Sequence, residues 1–195
     1  MPKTPPAELT ITVFGSSRPR AGEPDYEEAR ALGRALADRG FAVCTGGYGG
    51  VMEAVSRGAK EAGGRVVGVT ADFFRAQANA WVDEEVRVAT WQDRLFELIR
   101  RGAGYVACKG GTGTLVELAV VWEMLNKGVL ERKPFVVLGD FWQPVLERVR
   151  EVEASGESSE RPATVSTRES AGRLVHIAAT PDAAAVFLAS VLRPL

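Results

Sequence analysis

The chain has 195 residues, 46% of them hydrophobic and 25% charged, with a formal net charge of −1. That balance fits a globular chain folding as one domain, and it removes any global electrostatic case for a nucleic-acid or acidic-membrane partner. No apolar run approaches membrane-spanning length and the N-terminus carries no apolar signal core, so a cytoplasmic protein with a flexible start over residues 1–8 is expected.

Leu9–Phe14 reads as a first strand, stopped by Gly15-Ser16-Ser17. Pro24-Asp25 opens a helix, with acidic residues in its first turn, that Ala29, Leu32, Ala35 and Leu36 carry to Gly40. Phe41–Thr45 is a second strand ending in Gly46-Gly47-Tyr48-Gly49-Gly50. A helix through Met52, Val55 and Ala59 follows, closed by Gly63-Gly64, and Arg65–Val69 is a third strand. Residues 70–85 have no clear period and read as an irregular crossover. Glu85–Ala89 is a short strand, and Thr90-Trp-Gln-Asp93 resembles a capping box opening a helix through Leu95, Leu98 and Ile99.

The apolar run ending in Tyr105–Cys108 then gives way abruptly to Gly110-Gly111-Thr112-Gly113-Thr114 and a helix that reaches Lys127-Gly128. Pro134–Leu138 is a strand and Trp142–Val152 a helix. Residues 153–173 form a polar insertion, and Leu174–Ala178 with a helix opened by Thr180-Pro-Asp182 closes the chain. Cys44 and Cys108 both end apolar runs and read as buried free thiols.

Short apolar strands alternating with helices of 10–15 residues imply an α/β fold: a three-layer, Rossmann-like, doubly wound parallel sheet with helices on both faces. Such sheets bind ligands at the carboxyl ends of their strands, so all three glycine-bearing loops should open on one edge. The strand–glycine loop–helix at 105–127 is the strongest of them. Free N–H groups and the helix dipole there suit an anion such as phosphate. Gly15, Ser16, Ser17, Gly46, Gly47, Lys109, Gly110, Gly111, Thr112, Gly113 and Thr114 are the candidates for holding a phosphorylated, nucleotide-like ligand.

The usual nucleotide motifs are missing. Gly111-Thr-Gly113-Thr-Leu-Val116 lacks the third glycine of the dinucleotide fingerprint, and no acidic residue ends the second strand to hold a ribose. In a P-loop the lysine follows the glycines, whereas Lys109 precedes them. Neither NAD nor ATP is indicated, no cofactor is expected, and no Cys/His/carboxylate spacing suggests a metal site.

Gly110-Gly-Thr-Gly-Thr-Leu-Val-Glu117 resembles the PGGxGTxxE signature of the LOG family. The resemblance extends to Val13–Ser17, to Gly46–Ala54, to Gly63–Val69, and to Arg94 on the helix before the signature. It implies a phosphoribohydrolase that cleaves the N-glycosidic bond of a nucleoside 5′-monophosphate or cytokinin nucleotide, with Arg94 and Glu117 as the catalytic pair. It also implies a homodimer. Relatives in the wider superfamily, molybdenum-cofactor carriers and nucleotide sensors, bind without this chemistry. Three departures stand out: Lys109 replaces the signature proline, Leu95 replaces the lysine after Arg94, and the polar insertion is longer than the family implies.

Each candidate also has a plainer reading. Thr114-x-x-Glu117 is itself a capping-box pattern, in which the glutamate serves only its own helix. Arg94 lies near a helix N-terminus, which points to an anionic partner or to surface pairing with Asp93 or Glu97. Arg18 and Arg20 read as solvated loop residues within reach of a phosphate. Tyr48, Phe73, Phe74 and Trp81 read as core or dimer packing in preference to a purine platform, and His176 as structural.

Overall fold

A computed structural model of the chain describes residues 9–130, 133–155 and 174–193. The expected N-terminal lead and most of the polar insertion, residues 156–173, lie outside them.

Seven strands form one sheet in the order β4-β3-β2-β1-β5-β6-β7, and every pair is parallel. They are β1 (Thr10–Phe14), β2 (Ala42–Thr45), β3 (Val66–Ala71), β4 (Glu84–Val88), β5 (Gly104–Ala107), β6 (Phe135–Leu138) and β7 (Val175–Ala178). The helices are α1 (Pro24–Asp38), α2 (Val51–Glu61), α3 (Trp91–Arg101), α4 (Thr112–Asn126), α5 (Gln143–Ser155) and α6 (Pro181–Leu192).

Each central strand is buried on both faces, and successive side chains serve opposite cores. Ile11 and Val13 of β1, Val106 of β5 and Val136 of β6 pack with α1, α2 and α6. Phe14, Tyr105, Ala107, Phe135 and Val137 pack with α3, α4 and α5. The result is the three-layer α/β arrangement, with two cores divided by the sheet. Two buried hydroxyls dock the end of α3 on it: Thr12 Oγ1 donates to Leu98 O at 2.9 Å and Tyr105 OH to Ile99 O at 2.7 Å.

The chain winds outward from β1 to β4, then returns to place β5 against the other side of β1. The order of winding therefore reverses between β1 and β5. The loops after those two strands diverge there, opening a crevice at the carboxyl edge.

Several strand ends shift by one residue, and two elements extend further than the sequence reading placed them. β3 continues to Ala71, and a single 3₁₀ turn, Asp72–Phe74, occupies the start of the expected irregular crossover. Helix α5 runs past Val152 to Ser155, into the segment read as insertion. Cys44 and Cys108 are buried and free. Burial raises both thiol pKa values, to about 12 for Cys44. Among the described residues no helix is long and apolar enough to cross a membrane.

Candidate functional site

A cleft of about 940 Å³ opens where the winding reverses. Its floor on one side is the loop after β1, Gly15 to Pro19, and on the other Lys109 to Thr114 after β5. Backbone bonds bring these loops together: Ser16 N–H donates to Lys109 O at 3.2 Å, and Ser16 O accepts from Val51 N–H at 2.8 Å.

Helix α4 begins at Thr112 with Gly111 as its N-cap and no side-chain cap. The amides of Gly110 to Thr114 find no acceptor among the described residues, and the first helical bond runs from Leu115 N–H to Gly111 O at 3.0 Å. A row of free donors at the positive end of a helix is what an oxyanion requires.

This geometry also removes the plainer reading of Glu117. With the helix starting at Thr112, Thr114 and Glu117 lie inside it, and no capping box forms. Among the described residues the Glu117 side chain makes no hydrogen bond or ion pair, and it lines the cleft. Burial pushes its carboxyl up to about 7, opposed by the positive charge of Arg94.

Arg94 is only 6% exposed, which excludes the surface pairing considered for it. Glu97 instead binds Arg100 and Arg101, and Asp93 takes part in the cap of α3, where its N–H donates to Thr90 Oγ1 at 3.0 Å. From α3 the Arg94 side chain runs beneath the ends of β2 and β3. Its Nε donates to Val69 O at 2.8 Å and its Nη2 to Gly46 O at 2.9 Å. Its guanidinium carbon stands 5.2 Å from the ring centre of Tyr48 and 5.4 Å from that of Phe74. Nη1 has no partner among the described residues, and the residue lines the cleft. Burial lowers its pKa, and Glu117 is the main opposing influence. A cation fixed on one side with donors left over on the other is prepared for a ligand.

The remaining candidates divide. Gly15, Ser16, Ser17, Lys109 and Gly110 to Thr114 all line the cleft. Gly46 and Gly47 do not. The 46–50 loop folds inward, because its carbonyls are consumed by Arg94 at Gly46 and by Asn79 at Gly47 and Tyr48. From this loop only Tyr48 reaches the cleft wall, followed by Met52 on α2.

Lys109 lines the cleft but is ion-paired with Asp25 at 2.9 Å, which raises its pKa and offsets its charge. Arg18 lines the cleft while Arg20 does not. Of the core or dimer packing expected for the aromatic crossover, the core alternative fails at two positions: Phe73 is 68% and Phe74 41% exposed, and Phe74 borders the cleft with Tyr48, Trp91 and Phe141. Trp91 and Phe141 went unread because a tryptophan at a helix start and a phenylalanine before a helix carry no signal of their own. His176 stacks on Phe187 at 4.0 Å, away from the cleft. Among the described residues no group of three or more His, Cys, Asp or Glu could hold a metal ion.

A capless glycine loop, a buried arginine and a glutamate whose side chain has no partner among the described residues thus line one cleft, where the winding of a doubly wound parallel sheet reverses. The chain matches the SLOG cluster4 family over residues 8–171 and belongs to that family. It is 34% identical over 140 residues to the cytokinin riboside 5′-monophosphate phosphoribohydrolase of Mycobacterium marinum, covering 70% of this chain and 73% of that protein.

Two solved structures share the fold. The molybdenum cofactor binding protein of Rippkaea orientalis aligns with a TM-score of 0.71 at 24% identity, over 95% of this chain and 98% of that one. The molybdenum cofactor carrier protein of Chlamydomonas reinhardtii aligns with a TM-score of 0.66 at 25% identity, over 95% and 98%.

Proposed function

We propose that the chain is a phosphoribohydrolase of nucleoside 5′-monophosphates, releasing free base and ribose 5-phosphate. The observation that carries this reading is Glu117: a carboxyl with no structural partner, one turn into the helix whose open amides face the same cleft. The phosphate sits on the Gly110–Thr114 amides and holds the ribose toward Glu117 and Arg94. As the base departs, positive charge develops on the sugar, and the Glu117 carboxylate stabilises it or activates the attacking water. The unpaired Nη1 of Arg94 donates to the oxygens of the sugar phosphate. Binding energy from the distant phosphate is thereby used at the scissile bond.

The test is release of free base from AMP, GMP, CMP and isopentenyl-AMP by purified protein. Glu117→Gln should keep AMP binding and lower kcat by about 10²–10⁴-fold. No release from any of the four by the intact chain refutes the hydrolytic reading.

One observation favours a second reading, a non-catalytic carrier or sensor of a phosphorylated ligand. Where the LOG family has a lysine beside its arginine, this chain has Leu95, which is buried in the core beneath α3. Its fold neighbours from Rippkaea and Chlamydomonas are titled as binding or carrying the molybdenum cofactor. Tight AMP binding without turnover would select it.

We place a homodimer contact on the apolar strip of Leu115, Val116 and Ala119 on α4, continued by Val149 on α5, all of it exposed. Light scattering should return twice the 20.9 kDa chain mass. Leu115→Glu should return the monomer, and a monomer from the unaltered chain removes the assignment.

A further inference from the structure

The cleft has a polar end and an aromatic end, and the strand order lays them in a row. The amide cradle follows β5, and the Ser16–Ser17 loop follows β1. Tyr48 follows β2, Phe74 follows β3, and Trp91 follows β4 at the start of α3. Neighbouring strands lie about 4.8 Å apart, so the ends of β5 and β3 are separated by roughly 14 Å. Arg94 is anchored to carbonyls at the ends of β2 and β3, and Glu117 projects from the β5 side, so the pair lies between the two ends.

The aromatic end is built and left uncovered. Phe74 is held by edge contacts with Tyr48 at 5.5 Å and Phe73 at 5.2 Å, yet 41% of it is exposed. Tyr48 OH is fixed by Ala71, donating to its carbonyl at 3.2 Å and accepting from its N–H at 2.9 Å. The turn that presents Phe74 ends at Arg75, the one non-glycine residue with positive φ (+50°) among the described residues. Strain of that kind persists where surrounding structure fixes it. Trp91 borders the same end, and its indole N–H has no partner.

We infer that Phe74 and Trp91, backed by Tyr48, are a stacking subsite for a planar heteroaromatic group of a ligand whose phosphate occupies the Gly110–Thr114 cradle. This deepens the nucleotide reading and makes these residues determinants of affinity for the base. An aromatic face accepts purines and pyrimidines alike, while the free Trp91 N–H offers one donor to a ring nitrogen or carbonyl.

The experiment separates base from phosphate by titrating AMP and ribose 5-phosphate into the intact chain by calorimetry. Phe74→Leu and Trp91→Leu keep an apolar side chain while removing the ring, and Phe96→Ala, exposed on α3 away from the cleft, is the control. Each ring variant should weaken AMP on the order of tenfold or more and leave ribose 5-phosphate within about twofold, with the control unchanged for both. Equal weakening of the two ligands, unchanged AMP affinity, or no AMP binding by the intact chain overturns the subsite. Selective loss of AMP affinity in a chain that never releases base upholds the subsite while refuting hydrolysis, so the two failures are distinct.

Discussion

Two glycine loops of this chain look alike in sequence and do opposite work. Gly46-Gly-Tyr-Gly-Gly50 follows β2, and Gly110-Gly-Thr-Gly-Thr114 follows β5, each between a buried strand and a helix. In the first, glycine is required because there is no space. A Cβ on Gly46 would stand 1.6 Å from Arg94 Nη2, and one on Gly50, where φ is +69°, would meet Ser16 O at 2.4 Å. In the second, a Cβ on Gly110 would meet the Thr114 side chain at 2.2 Å, but one on Gly111 or Gly113 would meet nothing within 4 Å. There the missing side chain leaves the amides uncovered. One loop packs around the arginine and turns its carbonyls inward, to Arg94 and Asn79, while the other presents N–H groups to the cleft. Glycine content alone therefore identifies neither a binding loop nor a structural one; the packing partner decides.

The largest effect should come from filling the crowded loop. Gly46→Ala must displace the Arg94 guanidinium, lowering stability by about 1–3 kcal/mol. Base release should fall by about 100-fold through the misplaced cation. Urea unfolding and the release assay measure the two, and a variant indistinguishable from the parent would show that the loop has slack.

The open side has an energetic consequence of its own at Glu117. Its carboxyl ionises near 4.5 in the unfolded chain and near 7 in the folded one. Between those values the native state holds the proton that the unfolded state has lost, so stability falls as pH rises from about 4.5 to 7 and levels off above. The span corresponds to about 3 kcal/mol. Glu117→Gln should flatten that slope and leave the protein more stable at pH 8 by about 1–3 kcal/mol, even as turnover is lost. If the ionised carboxylate acts on the sugar as proposed, kcat should also rise with pH through about 7. A pH-independent difference between the two proteins would remove the buried-carboxyl account.

The smallest effect sharpens the contrast. Gly113→Ala places a methyl in open space within the first turn of α4. Stability should rise by up to about 1 kcal/mol from helix propensity and lost unfolded-state freedom. Affinity for ribose 5-phosphate should fall, because the methyl overhangs the amide row. Unchanged affinity would move the anion elsewhere.

Residue order alone was enough for the alternation of buried strands and helices, and hence for the layered parallel sheet. Those signals are local, repeating every two or every 3.6 residues within one element. The family signature was legible for the same reason, since the 110–114 loop and Glu117 lie within eight consecutive residues. What tertiary structure decided was every relation between distant segments. Only the start of α4 at Thr112 distinguishes a free carboxyl at Glu117 from a helix cap. Only the carbonyls of Val69 and Gly46, brought beneath α3 by the sheet order, make Arg94 a buried cation and draw Gly46 and Gly47 away from the cleft. Likewise Phe74 and Trp91 border one cleft because β3 and β4 end side by side. Such contacts depend on which strands become neighbours, a property of the whole fold that no local period encodes.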